Sequence, residues 1–119
     1  MKNLAPHIKR QRLLIEGFFS ISVTREVLRD YLFGVAKHLN LRVYGEPTIF
    51  SPAGMGKEEN QGFDAFIPLI DSGISAYIWS KDQFFSIIIY TCKEFDQQAA
   101  ASYTKSYFQT TVDIEAITF

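Results

Sequence analysis

The densest stretch of apolar residues lies between positions 61 and 92, where three runs follow one another with only short polar breaks. Ala65 to Ile70 and Ile74 to Trp79 are separated by Asp71-Ser72-Gly73, whose residue types have the chemistry of tight reversals. Phe84 to Cys92, rich in β-branched and aromatic residues, follows the turn Ser80-Lys81-Asp82-Gln83. The pattern predicts three consecutive strands.

Upstream, after a polar lead containing Pro6, Leu13 to Ile21 is apolar enough for a buried strand, with Gly17 as a bulge or a close approach. Ser22 and Thr24 offer N-cap oxygens, Glu26 puts a negative charge in the first helical turn, and Leu28, Leu32, Val35 and Leu39 recur on one face. They predict a helix from Arg25 to Leu39 that covers a sheet and is stopped by Asn40. Arg42 to Phe50 returns as a strand interrupted by Pro47, whose missing N–H suits an edge. Residues 51 to 62, with three glycines and a proline, read as a mobile surface loop. Within it, Gly54-Met55-Gly56-Lys57 lacks the spacing of a phosphate loop. Asp96 is an N-cap for a second helix reaching about Phe108, marked by Ala99, Ala100, Tyr103, Tyr107 and Phe108. Thr111 to Phe119 alternates Val112, Ile114 and Ala116 with Asp113 and Glu115, as a half-buried strand does. The expected fold is α+β, a two-layer sandwich with a largely antiparallel sheet and helices on one face, in the order β-α-β-β-β-α-β.

Composition narrows the function. A chain of 119 residues is the size of one domain, spanning 1–119. Its 47% apolar and 15% aromatic content is rich for a monomer this small, so a homodimer closing some aromatic surface is expected. A formal net charge of −1 gives no basic footprint for nucleic acid, and Lys9, Arg10 and Arg12 read as a solvated edge. The single cysteine fits a reducing compartment, the cytoplasm. Met1 to Arg12 has no apolar core of signal-peptide length, and no run approaches the ~20 residues of a membrane span. His7 and His38 have no partners at metal-ligand spacing, so no metal and no Ser-His-Asp arrangement is expected.

One stretch carries a family resemblance. The bacterial S-adenosylmethionine decarboxylases are marked by Glu-Ser-His-Ile-Ser-Ile-His-Thr-Trp-Pro-Glu and, further on, a strand ending in Thr-Cys. Here Asp71-Ser72-Gly73-Ile74-Ser75-Ala76-Tyr77-Ile78-Trp79 stands in place of that hallmark, matching at Ser72, Ile74, Ser75 and Trp79. Thr91-Cys92 falls at the expected distance without a gap. Phe50-Ser51-Pro52 and Gln61-Gly62-Phe63 resemble the family's Phe-x-Pro and Gly-Val-Ser segments.

The resemblance implies a self-cleaving enzyme of polyamine biosynthesis that makes its own cofactor. The motif serine attacks the carbonyl before it, the resulting ester eliminates, and a pyruvoyl group remains at the new N-terminus as an electron sink for decarboxylation. By this resemblance the bond cut is Asp71–Ser72. Read without it, Ser72 is a turn residue. Cys92 corresponds to the family's proton donor, since a thiol donates and recovers a proton readily near neutrality; without it, Cys92 reads as a buried small hydrophobe on a central strand.

The departures concern self-processing. The family's two motif histidines are Gly73 and Tyr77 here, and a serine eight places before the pyruvoyl position is Asp64. Asp64 and Tyr77 are candidate substitutes as base and acid, although a phenol is a poor base at neutral pH; Tyr77 also reads as a stacking or core aromatic. Phe50 and Trp79 are candidates for substrate binding. The 51–62 loop looks like an insertion beside the active site, and its Glu58 and Glu59 suit a cationic substrate such as arginine or ornithine instead of S-adenosylmethionine. A reading of another class is an unprocessed, non-catalytic homologue that binds a nucleoside or amino-acid ligand or a partner protein.

Overall fold

The computed structural model describes residues 1–119. Along the chain come β1 (Gln11–Phe18), α1 (Arg25–His38), β2 (Thr48–Phe50), one 3-10 turn at Glu58–Asn60, β3 (Gly62–Leu69), β4 (Ser72–Trp79), β5 (Phe84–Thr91), α2 (Gln97–Phe108) and β6 (Glu115–Thr118). The strands form one sheet in the order β2-β3-β4-β5-β1-β6, with every neighbouring pair antiparallel. The element order is β-α-β-β-β-β-α-β, so the expected order is one strand short between the helices.

Three boundaries and one burial pattern differ from the expectation. Of Arg42 to Phe50 only Thr48–Phe50 is strand, with an isolated bridge from Val43 to Leu69, because Pro47 cannot donate to a ladder. β1 ends at Phe18 instead of Ile21. The reversal between β3 and β4 is Ile70-Asp71, which leaves Ser72 and Gly73 inside the ladder opposite Leu69 and Pro68. All four residues of β6 are exposed where half-burial was expected, since this strand lies at the sheet edge.

The helices form for local reasons. Thr24 Oγ1 accepts the Val27 N–H at 3.2 Å, and Asp96 Oδ1 accepts the Ala99 N–H at 3.1 Å, each satisfying a first-turn donor with no intrahelical partner. Leu28, Tyr31, Leu32, Val35 and Ala36 make the buried stripe of α1. Tyr31 is fully buried, and its hydroxyl meets Thr104 Oγ1 at 2.7 Å. Thr104 already donates to the Ala100 carbonyl, so the tyrosine is the donor in this pair. Burial pushes the Tyr31 phenol well above its ordinary value. At the helix crossing, Gly34 leaves room for the Tyr103 hydroxyl, which would lie 2.1 Å from an added Cβ.

A single cluster of 22 buried apolar residues fills the space between helices and sheet. Strand residues alternate between faces, so Ile74, Ala76 and Ile78 enter that core, while Ser75, Tyr77 and Trp79 lie on the helix-free side. One row crosses all six strands there: Phe50, Asp64, Tyr77, Ser86, Glu16 and Glu115 stand opposite one another in register. The same face exposes Phe18, Phe66, Tyr90 and Ile117.

Candidate active site

The β3–β4 hairpin and the end of β5 bring three expected residues together. Ser72 opens β4 with Leu69 opposite it on one side and Thr91 on the other. Its φ is +127°, a region that residues with a Cβ seldom occupy and one that costs about 1–3 kcal/mol where the surroundings enforce it. The bond between Asp71 and Ser72 thus lies beside backbone strain. The Asp71 carbonyl oxygen receives two donors from one residue: the Cys92 N–H at 2.9 Å and the Cys92 Sγ at 3.5 Å. Paired donors on one carbonyl polarise it toward attack and stabilise the negative charge that attack places on oxygen.

Cys92 is exposed and lies one residue beyond β5, so it is not the buried hydrophobe of a central strand. Asp71 is turned inward, its side chain only 18% exposed. Its Oδ2 is sealed from solvent without a hydrogen-bond partner, and the nearest cation is Arg42 Nη2 at 4.0 Å. Arg42 also accepts the Ile70 N–H on its carbonyl, so the residue steadies the hairpin through backbone and side chain together. Nothing in the linear sequence singles out Arg42, because its pairing with the hairpin arises from tertiary contact.

A second group forms elsewhere. Asp64 and Tyr77 are cross-strand partners, and Phe50 stands opposite Asp64. With Phe66 and Ser75 they line a depression of about 160 Å³ on the bare face, below the roughly 300 Å³ of ordinary ligand pockets. Tyr77 is five residues from Ser72 along β4, about 16 Å at the rise of a strand. Within one protomer the structure therefore joins Asp64 to Tyr77 and joins Asp71 and Cys92 to Ser72, but keeps the two groups apart. Trp79 is farther still, its indole N–H donating to Asn60 Oδ1 at 3.2 Å. That bond ties β4 to the turn that carries Glu58 and Glu59, both exposed. The turn is held by Gln61, which accepts from the Gly54 N–H and donates to the Met55 and Lys57 carbonyls.

Gly73 has a steric reason. An added Cβ would lie 2.4 Å from the Phe66 ring, so the place of the family's first histidine side chain is filled from β3. No group of three or more His, Cys, Asp or Glu side chains lies close enough to hold a metal, and no helix is long and apolar enough to cross a membrane.

A sheet covered by helices on one side, with a serine-led hairpin whose preceding carbonyl is held by a cysteine, defines a two-layer α+β sandwich built around one strained hairpin. The sequence model of the S-adenosylmethionine decarboxylase family matches residues 21–117, and the chain belongs to that family. Among solved structures it is similar to the adenosylmethionine decarboxylase of Aquifex aeolicus VF5, with a TM-score of 0.72 at 18% identity over 94% of this chain and 89% of that one. At that identity the likeness speaks for the fold. No curated protein matches the sequence significantly.

Proposed function

We propose that the chain is a pyruvoyl-dependent decarboxylase that cuts itself between Asp71 and Ser72. The observation that carries this reading is the convergence of the two Cys92 donors on the Asp71 carbonyl, next to a serine held at φ +127°. The residues present fit such a group: Ser72 supplies the attacking hydroxyl and the three-carbon skeleton, and Asp71 and Cys92 frame the bond to be broken. Once formed at position 72, the group supplies an electron-accepting ketone for a substrate amine. The Cys92 thiol, at the edge of the site and open to solvent, then delivers a proton to the substrate carbon that has lost carbon dioxide. The proposed substrate is S-adenosylmethionine, with a basic amino acid as the second candidate.

A homodimer is part of the reading. Asp64, Tyr77, Phe50, Trp79, Glu58 and Glu59 lie too far along the sheet to reach Ser72 of their own protomer. They serve the site only if a second copy lays its bare sheet face against the first. The aromatic residues exposed on that face supply the apolar surface for such a contact.

Intact-mass analysis tests the proposal, with fragments 1–71 and 72–119 expected and the second blocked to Edman degradation. A full-length chain that does not react with hydroxylamine after long incubation defeats it, and binding without catalysis then takes its place. Light scattering that gives the monomer mass at micromolar concentration removes the dimer.

A further inference from the structure

The bond-breaking step needs a base for the Ser72 hydroxyl, and the family's imidazoles are absent from this site. Gly73 carries no side chain and the Phe66 ring occupies its space, Tyr77 lies about 16 Å away along β4, and the His38 ring packs at a tilt against Tyr103 with centroids 5.0 Å apart. One buried polar atom in the hairpin has no partner. Asp71 Oδ2 is shut off from solvent and accepts no hydrogen bond. Leaving a carboxylate oxygen desolvated and unpaired costs free energy in any fold, and Arg42 at 4.0 Å offsets that cost only in part.

The geometry points to the Asp71 carboxylate as the base, and then the acid, of self-cleavage. This rests on the reading of the chain as a self-processing enzyme. Asp71 and Ser72 are adjacent residues, so one peptide unit separates the short stems that carry the carboxylate and the hydroxyl. The Oδ2 atom has no hydrogen bond to give up before it accepts a proton, and Arg42 Nη2 at 4.0 Å lies beside it. Other titratable or charged groups at the hairpin include Cys92, committed to the Asp71 carbonyl, Lys93, which donates to the Asn40 carbonyl, and Tyr90, which stands opposite Gly73.

The step balances without another reactant. The carboxylate takes the Oγ proton as Oγ bonds to the Asp71 carbonyl carbon, and the electron pair of that carbonyl moves onto its oxygen, facing the two Cys92 donors. The pair returns, the C–N bond breaks, and the nitrogen leaves with the proton that Asp71 has been holding. The product is an ester joining Asp71 to the Ser72 side chain, with a free amine on Ser72 and the carboxylate restored.

The test follows cleavage of freshly purified full-length precursor by intact mass between pH 5 and 9. Asp71→Asn should slow it by about a hundredfold or more, the usual worth of a general base, and should flatten the acid limb of its pH profile. Asp71→Glu, which keeps a carboxylate on a longer stem, should recover most of the rate. Acetate should partly rescue Asp71→Ala. Melting of each variant in a Ser72→Ala background separates a folding defect from a chemical one, and if the Asn variant does not fold, the Glu and acetate results decide. An Asp71→Asn chain that cleaves at the wild-type rate with the wild-type profile overturns this inference and leaves self-processing intact. A wild-type chain that never cleaves overturns both.

Discussion

Replacing Cys92 by alanine should separate the proposed self-cleavage from the proposed turnover, because the structure gives that residue two contacts of unequal kind. The mutation removes the Sγ donor at 3.5 Å and leaves the backbone N–H on the Asp71 carbonyl at 2.9 Å. A neutral hydrogen bond contributes about 0.5–1.5 kcal/mol net, and a thiol is a weak donor, so the lost contact belongs near the low end. At about 0.5–1 kcal/mol, cleavage should slow by roughly two- to fivefold. The larger loss of 10²- to 10³-fold that follows removal of a main oxyanion donor should not appear, because that donor is retained. Turnover should behave differently. If the thiol returns the proton after decarboxylation, its loss should cost about 10²- to 10⁴-fold. Stability should change by no more than about 0.5 kcal/mol, since Cys92 is exposed. The assay is release of labelled carbon dioxide from carboxyl-labelled S-adenosylmethionine, divided by the carbonyl content titrated with hydroxylamine, alongside a mass-spectrometric time course of cleavage. An unchanged rate per titrated carbonyl refutes the proton-donor role, and complete loss of cleavage refutes the division of labour between thiol and backbone.

Three further outcomes probe the scaffold. Gly62→Ala should destabilise by on the order of 3 kcal/mol in chemical denaturation, because Gly62 has a φ of +158° and an added Cβ would lie 1.8 Å from the Ile78 carbonyl oxygen. Phe108→Ala should cost about 3–5 kcal/mol in the same measurement, since the ring is fully buried and stacked on Phe85 at 4.7 Å. Alkali should weaken the fold: burial pushes the Tyr107 phenol up to about 12, and Tyr31 and Tyr103 are raised by the same cause. The neutral phenols are favoured in the folded state, so their contribution is complete below the ordinary value of 10.0 and fades as pH rises toward about 12. Thermal melts at rising pH should show that decline, and a flat melting temperature over this window contradicts it.

The elements were legible where periodicity and caps agree. Thr24 with Leu28, Leu32 and Val35 marks α1, and the alternation around Ala76 marks β4, because those signals are local. Strand order was not legible, since pairing β1 between β5 and β6 depends on contacts that no window of sequence contains. The site divides in the same way. Ser72 and Cys92 stood out by resemblance, and the hold of Cys92 on the Asp71 carbonyl follows from the β4–β5 register. Arg42 left no signal, and the distance from Tyr77 to Ser72 follows from Gly73 to Tyr77 being one unbroken strand, not a turn. The reading of Cys92 as a buried small hydrophobe failed because an apolar run does not show where its last residue leaves the sheet.

The strand order also determines what a cut hairpin leaves behind. With the bond before Ser72 broken, β1, β2 and β3 belong to one fragment and β4, β5 and β6 to the other. Across the sheet these alternate as two strands of the first, two of the second, one of the first and one of the second. The two fragments are woven into one another, like the fingers of folded hands, and share one core. Neither can depart without opening at least three seams of backbone hydrogen bonds, so dilution alone should not separate them and denaturant should release both at once.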